Sequence, residues 1–175
     1  SLGLYLAALA VVAGLAWQLN FGEAGRRLNR HFLEDVLQRE IAQQPENAEL
    51  QGLLGDVKYA AGDLAGAAEA YEAALALTPQ NPQVLNNLAW LYATAEPVDL
   101  RRPARALELA RRAVQLDPSA QVLDTLAECY FVNGRMSEAV AAGREALART
   151  EENREYFREQ LEKFEKALAA GGGNA

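Results

Sequence analysis

From Leu28 to Ala169 the apolar residues recur three and four positions apart, and runs of alternating Val, Ile and Thr are absent. That spacing collects apolar side chains on one face of a helix and argues against strands. The first such stretch, Leu28 to Gln43, puts Phe32, Leu33, Val36, Leu37 and Ile41 on one side and ends at Pro45-Glu46-Asn47. A pair of helices follows, Ala48 to Ala61 and Leu64 to Leu77, around Gly62-Asp63. Gly62 can take the left-handed conformation that stops a helix, and Asp63 can cap the next one. Pro82 suits a first helical turn, and the helix it opens must end before Pro97, with its partner starting near Pro103. Glu96 to Arg102 is then a connection longer than a hairpin needs. A third pair turns at Asn133-Gly134, with Ser137 or its neighbours leading into the helix of Ala139. Arg154 to Ala169 closes the series with Phe157, Leu161, Phe164 and Leu168 in a narrow stripe, and Gly171-Gly172-Gly173 ends it.

These pairs are copies of one another. Leu54-Gly55, Ala67, Tyr71, Ala74-Leu75 and Pro79 return as Leu88-Ala89, Ala106, Ala110, Ala113-Val114 and Pro118, then as Leu126-Ala127, Ala139, Gly143 and Ala146-Leu147. Small residues sit where two helices must touch, and each pair needs its neighbours to bury its apolar face. The pattern resembles the tetratricopeptide repeat, Trp-x2-Leu-Gly-x2-Tyr … Ala-x3-Phe … Pro. Gln51, Leu85 and Leu123 stand for the Trp, Ala110 and Gly143 for the second aromatic, and Glu151 for the last Pro. The second copy also carries about five extra residues between Glu96 and Pro103. The resemblance implies an all-α fold, a solenoid of three helix hairpins with capping helices, preceded by an N-terminal transmembrane helix read from the composition below. The expected divisions are an anchor over 1–22, a linker and half-repeat cap over 23–47, repeats over 48–81, 82–119 and 120–153, a capping helix over 154–170 and a loose tail over 171–175.

The anchor rests on residues 2–17, which are apolar, and on the lack of any charged side chain before Glu23. As a helix, residues 1–22 span about 33 Å, near the hydrocarbon thickness of a bilayer. Tyr5, Trp17 and Phe21 suit its interfaces. A cleavable signal peptide is a second reading, though no Lys or Arg precedes the run. A helix buried in the solenoid is a third. Arg26, Arg27 and Arg30 follow the run, and the positive-inside rule places the solenoid on the cytoplasmic side rather than the periplasmic one. The chain begins with Ser, so either an initiator Met was removed or this is the end of a longer protein.

A net charge of −7 argues against nucleic acid as a partner and leaves basic or apolar partners open. Cys129 is the only cysteine, which excludes an intrachain disulfide and a thiolate metal site. Its place in a helix reads as a small buried hydrophobe. His31 is the only histidine and has no Ser, Cys or acid pair placed beside it, and no phosphate loop or metal-ligand spacing occurs. The expectation is no enzyme, no cofactor and no metal.

The resemblance implies a concave groove lined by the first helix of each hairpin. The groove-facing positions are Asp56 and Tyr59, then Asn86, Asn87, Trp90 and Thr94, then Asp124, Thr125, Glu128 and Phe131. The Lys and Arg with which some family members clamp a terminal carboxylate are absent from this set. Asn86 and Asn87 suit the backbone of an extended peptide, Trp90 offers a stiff contact surface, and the acids favour a Lys- or Arg-bearing segment. The expected partner is a protein, bound through a basic or apolar peptide or helix. A second basic cluster, Arg101, Arg102, Arg105, Arg111 and Arg112, lies off the groove, as a lipid-headgroup surface or a solvated face. The expected function is a membrane-tethered scaffold that recruits or stabilises a partner in a membrane-bound assembly, in line with membrane-anchored family members of bacterial assembly systems. The alternatives are the C-terminal regulatory tail of a larger membrane enzyme, or a permanent subunit of a membrane complex.

Overall fold

The computed structural model describes residues 23–171, with side chains from Phe32 onward, so the expected anchor over 1–22 lies outside the described residues. Eight α-helices follow one another: α1 Glu23–Gln43, α2 Ala48–Ala61, α3 Leu64–Leu77, α4 Pro82–Thr94, α5 Pro103–Leu116, α6 Ala120–Val132, α7 Met136–Arg149 and α8 Arg154–Gly171. Among the described residues no helix is long and apolar enough to cross a membrane.

Local chemistry sets the helix ends. Asn47 Oδ1 accepts from the backbone of Glu49 and Leu50, Asp63 Oδ1 from Gly66, and Asn81 Oδ1 from Val84, which satisfies donors that the first turn leaves free. Gly62 and Gly134 take φ of 83° and 73°, the left-handed region that a helix stop requires. The long connection before α5 holds a short 3-10 turn, Val98–Leu100. Arg102 N–H donates to the Tyr92 carbonyl at 2.9 Å and ties that connection back to α4. Helix α7 starts at Met136, next to Ser137 as expected, and α8 runs through Gly171, one residue past the expected boundary.

Helices pair as α2 with α3, α4 with α5 and α6 with α7, and the hairpins stack, with α1 against α2 and α8 against α7. The core runs through the stack. Leu85, Leu88 and Leu91 of α4 and Leu109 of α5 are fully buried, and Ala67, Ala106, Ala110, Ala113 and Ala139 let the backbones approach. Two arginines fasten consecutive hairpins in the same way: Arg112 donates to the Pro79 carbonyl at 2.7 Å and Arg149 to the Pro118 carbonyl at 2.8 Å. The cap at the N-terminal side is looser. Val36, Leu37 and Ile41 of α1 are half-buried, while Phe32 and Leu33 remain exposed.

The aromatic missing from the third repeat is replaced from outside it. A Cβ at Gly143 would lie 3.3 Å from the Phe164 ring, and Phe164 of α8 is fully buried. In the first repeat the aromatic is the repeat's own Tyr71, and its ring lies across Gly55, where a Cβ would come within 2.5 Å of it. Gly55→Ala therefore displaces Tyr71 and lowers unfolding stability by about 1–3 kcal/mol, read as a lower urea midpoint with unchanged slope. Phe164→Ala empties the space over Gly143 and costs about 3–5 kcal/mol by the same measurement.

Candidate functional site

The first helices α2, α4 and α6 line a groove of about 770 Å³. Asp56 and Tyr59 enter it from α2, Asn86, Asn87 and Trp90 from α4, and Asp124 and Thr125 from α6. Thr94, Glu128 and Phe131 do not line it. The Thr94 hydroxyl donates to the Trp90 carbonyl at 2.8 Å and stays on its own helix. Glu128 forms an ion pair with Lys163 of α8, and the Phe131 ring packs on Phe164 with centroids 5.6 Å apart. Helix α8 thus covers two of the four groove-facing positions expected of the third hairpin, Glu128 and Phe131.

Four lining residues lie outside the first helices, Tyr71, Asn153, Tyr156 and Phe157, and a fifth that the register does not single out, Gln121, sits in the first turn of α6. Tyr71 reads as the repeat's own core aromatic, yet its hydroxyl crosses to Asp56. Asn153 has φ of 53°, a conformation asparagine tolerates, and it turns the chain into α8. The stripe of α8 points Phe157 inward and leaves Tyr156 beside it, facing α6.

Hydrogen bonds organise the polar lining. Asp56 Oδ1 accepts from the Tyr71 hydroxyl at 2.6 Å and from Asn87 Nδ2 at 3.0 Å, and Asn87 Oδ1 accepts from Gln83 at 3.0 Å. Burial pushes the Tyr71 phenol well above its ordinary value, and the neighbouring Asp56 carboxylate pushes the same way, so it remains a donor. The Tyr156 hydroxyl donates to Asp124 Oδ2 at 2.9 Å. Burial raises the Asp124 carboxyl above the usual range; the Tyr156 bond opposes this and Glu128 adds to it. Among the described residues one buried side-chain oxygen or nitrogen has no partner: Asn86 Oδ1, on a residue only 5 % exposed that lines the groove. An unpaired buried acceptor costs about 1–3 kcal/mol.

The charge of this surface differs from the one expected from its first helices. Lys163, brought in by α8, neutralises Glu128, so the acids left on the groove wall are Asp56 and Asp124. No Lys or Arg lines it. Away from the groove, the arginine cluster is engaged inside the fold. Arg101 donates to the Ala95 carbonyl, Arg105 to Glu108, Arg111 to the Tyr130 hydroxyl and Arg112 to Pro79, while Arg102 stacks over Tyr92. Apart from the Arg105–Glu108 pair, which lies within α5, these contacts fasten one part of the fold to another. Cys129 is fully buried and its thiol is pushed up by burial, as suits a packing residue. Among the described residues no group of three His, Cys, Asp or Glu side chains could hold a metal ion.

Comparison with known proteins agrees with the repeat fold. A family model described as TPR repeat matches residues 55–94, and one described as tetratricopeptide repeat matches residues 97–154. The cellulose synthase operon protein C of Pseudomonas fluorescens (strain SBW25) is 39% identical over 77 residues, 42% of this chain, and the match spans 6% of that protein's length. Among solved structures, the first TPR of Spaghetti (RPAP3) bound to the HSP90 peptide SRMEEVD superposes with a TM-score of 0.61 at 24% identity, covering 70% of this chain and 93% of that one. The first TPR domain of human RPAP3 gives 0.64 at 22%, covering 75% and 99%. The Sgt2 TPR domain of Aspergillus fumigatus gives 0.62 at 21%, covering 73% and 82%.

The raised Asp124 carboxyl has a consequence for stability. A folded-state value above the unfolded one means that ionising Asp124 costs stability as pH rises through the carboxylate range. Asp124→Asn keeps an acceptor for Tyr156 and removes that cost. The variant is expected to gain on the wild type in thermal midpoint as pH rises, and to match it below about pH 3.

Proposed function

We propose that this chain, which carries tetratricopeptide repeats, is a protein-interaction scaffold that holds a peptide or helix of a partner protein in its groove. The single observation that carries the reading is the groove itself. It is preformed, has rigid aromatic walls in Tyr59 and Trp90, and keeps a buried acceptor, Asn86 Oδ1, without a donor. A segment with backbone N–H groups supplies that donor, and Trp90 supplies contact area at little entropic cost. With Asp56 and Asp124 on its wall and no Lys or Arg, the groove favours a basic or apolar segment. An acidic tail such as SRMEEVD, held by the similar domain of Spaghetti, is the opposite match in charge.

In the same reading residues 1–22 tether the solenoid to a membrane, with Arg26, Arg27 and Arg30 favouring the cytoplasmic side. There it recruits or steadies one protein of a membrane-bound assembly and has no catalytic part of its own. The partial match to a protein named for a cellulose synthase operon is compatible with an assembly of that kind. The apolar composition of residues 2–17 supports the tether, and its test is flotation of the native chain with membranes in a density gradient. Flotation with the membranes, also after a carbonate wash, is the expected result, and recovery in the soluble fraction would remove the tether from this account.

Groove binding is tested by capture from mild detergent with the tagged native chain, beside Trp90→Ala. The wild type is expected to retain one protein in fixed ratio. Trp90→Ala should weaken that capture about thirtyfold, the effect of losing about 2 kcal/mol at a central aromatic. Equal capture by a variant with an unchanged melting temperature would place the interaction elsewhere on the surface.

A further inference from the structure

Asp56 and Tyr59 of α2 stand at the repeat positions that Glu128 and Phe131 occupy in α6, by the register that aligns Leu54 with Leu126. Each copy is an acid followed three residues later by an aromatic, on the first helix of its hairpin. In the third repeat the structure shows what such a pair holds. The Lys163 ammonium of α8 pairs with Glu128 and lies 5.1 Å from the centroid of Phe131 and 4.6 Å from that of Phe164. A carboxylate beside two ring systems is a favourable seat for a cation, since the acid and the ring faces attract the same charge.

In the first repeat the pair is open. Asp56 and Tyr59 are both exposed and share the groove with Trp90. Asp56 spends one oxygen, Oδ1, on Tyr71 and Asn87, and among the described residues no hydrogen bond reaches Oδ2. Asn86 adds the second observation: its Oδ1 is buried in the same groove without a donor.

We propose that this half of the groove is a subsite for the cationic head of a basic side chain on the bound segment, seated between Asp56 and the rings of Tyr59 and Trp90. The site thereby does for a partner what Glu128 and Phe131 do for Lys163. Asn86 Oδ1 takes a hydrogen bond from the same segment, either from its cationic head or from its backbone. This inference rests on the groove being the peptide site and adds what the peptide must carry.

The test is selection of a randomised ten-residue peptide library on the full chain in mild detergent, followed by calorimetry of the recovered peptides. Peptides sharing one Lys or Arg are expected. Replacing that residue by acetyl-lysine should weaken binding about tenfold. Asp56→Asn, whose amide oxygen can still accept from Tyr71, should bind the basic and acetylated peptides alike. Recovered peptides without a shared basic residue, or an acetylated peptide that binds as well as its parent, would overturn the cation subsite and leave groove binding standing. Failure to select any peptide would count against both.

Discussion

A hairpin of two fourteen-residue helices such as α2 and α3 cannot bury both its apolar faces, so each hairpin depends on the next one to cover it. At the C-terminal end that dependence falls on one side chain. The third hairpin has Gly143 where the repeat pattern carries an aromatic, and Phe164 of α8 fills the space. With Phe164 seated, Leu161 and Phe157 follow into the core at helical spacing, and α8 is held along α7. The helix is thus part of the third repeat's packing as well as its cover.

That placement shapes the groove. A helix fixed by Phe164 carries Lys163 to Glu128 and, two turns earlier, Tyr156 to Asp124. The four groove-facing positions expected of the third repeat are therefore divided. Glu128 and Phe131 are satisfied from within the chain, while Asp124 and Thr125 stay on the groove wall. The two ends of the groove therefore differ. One has Asp56, Tyr59 and Trp90, and among the described residues no hydrogen bond reaches Asp56 Oδ2; the other is walled by Tyr156 and Phe157 of α8 and holds Asp124, a carboxyl whose charge burial disfavours. The first repeat is arranged around the same kind of constraint, since Gly55 leaves room for the Tyr71 ring to pass and its hydroxyl to reach Asp56.

The parts of this structure that were legible in the sequence are those set by local chemistry or by register. Gly62, Pro82, Pro103 and Gly134 mark their helix ends because each restricts its own backbone. The repeat register carries Asp56, Asn86, Asn87, Trp90 and Asp124 to one surface because first helices present the same face in every copy. What the sequence hid depends on contacts between residues far apart. Tyr156 meets Asp124 32 positions away and Lys163 meets Glu128 35 away, and an amphipathic stripe says which face of α8 is buried without saying what it is buried against. The arginines of the α5 region look like a free basic patch for the same reason. Their partners, the carbonyls of Ala95 and Pro79 and the Tyr130 hydroxyl, leave no trace in composition.

The central claim is that a partner segment binds in the groove with α8 in place, its basic side chain at the end formed by Asp56, Tyr59 and Trp90. The most direct measurement is chemical-shift mapping of the protein titrated with a bound peptide, following the backbone amides and the Trp90 indole N–H. The account predicts shifts at Asp56, Tyr59, Asn86, Asn87 and Trp90, with the Lys163 and Phe164 signals unmoved. Shifts centred on Glu128, Phe131 and α8, as the peptide displaces that helix, would contradict it.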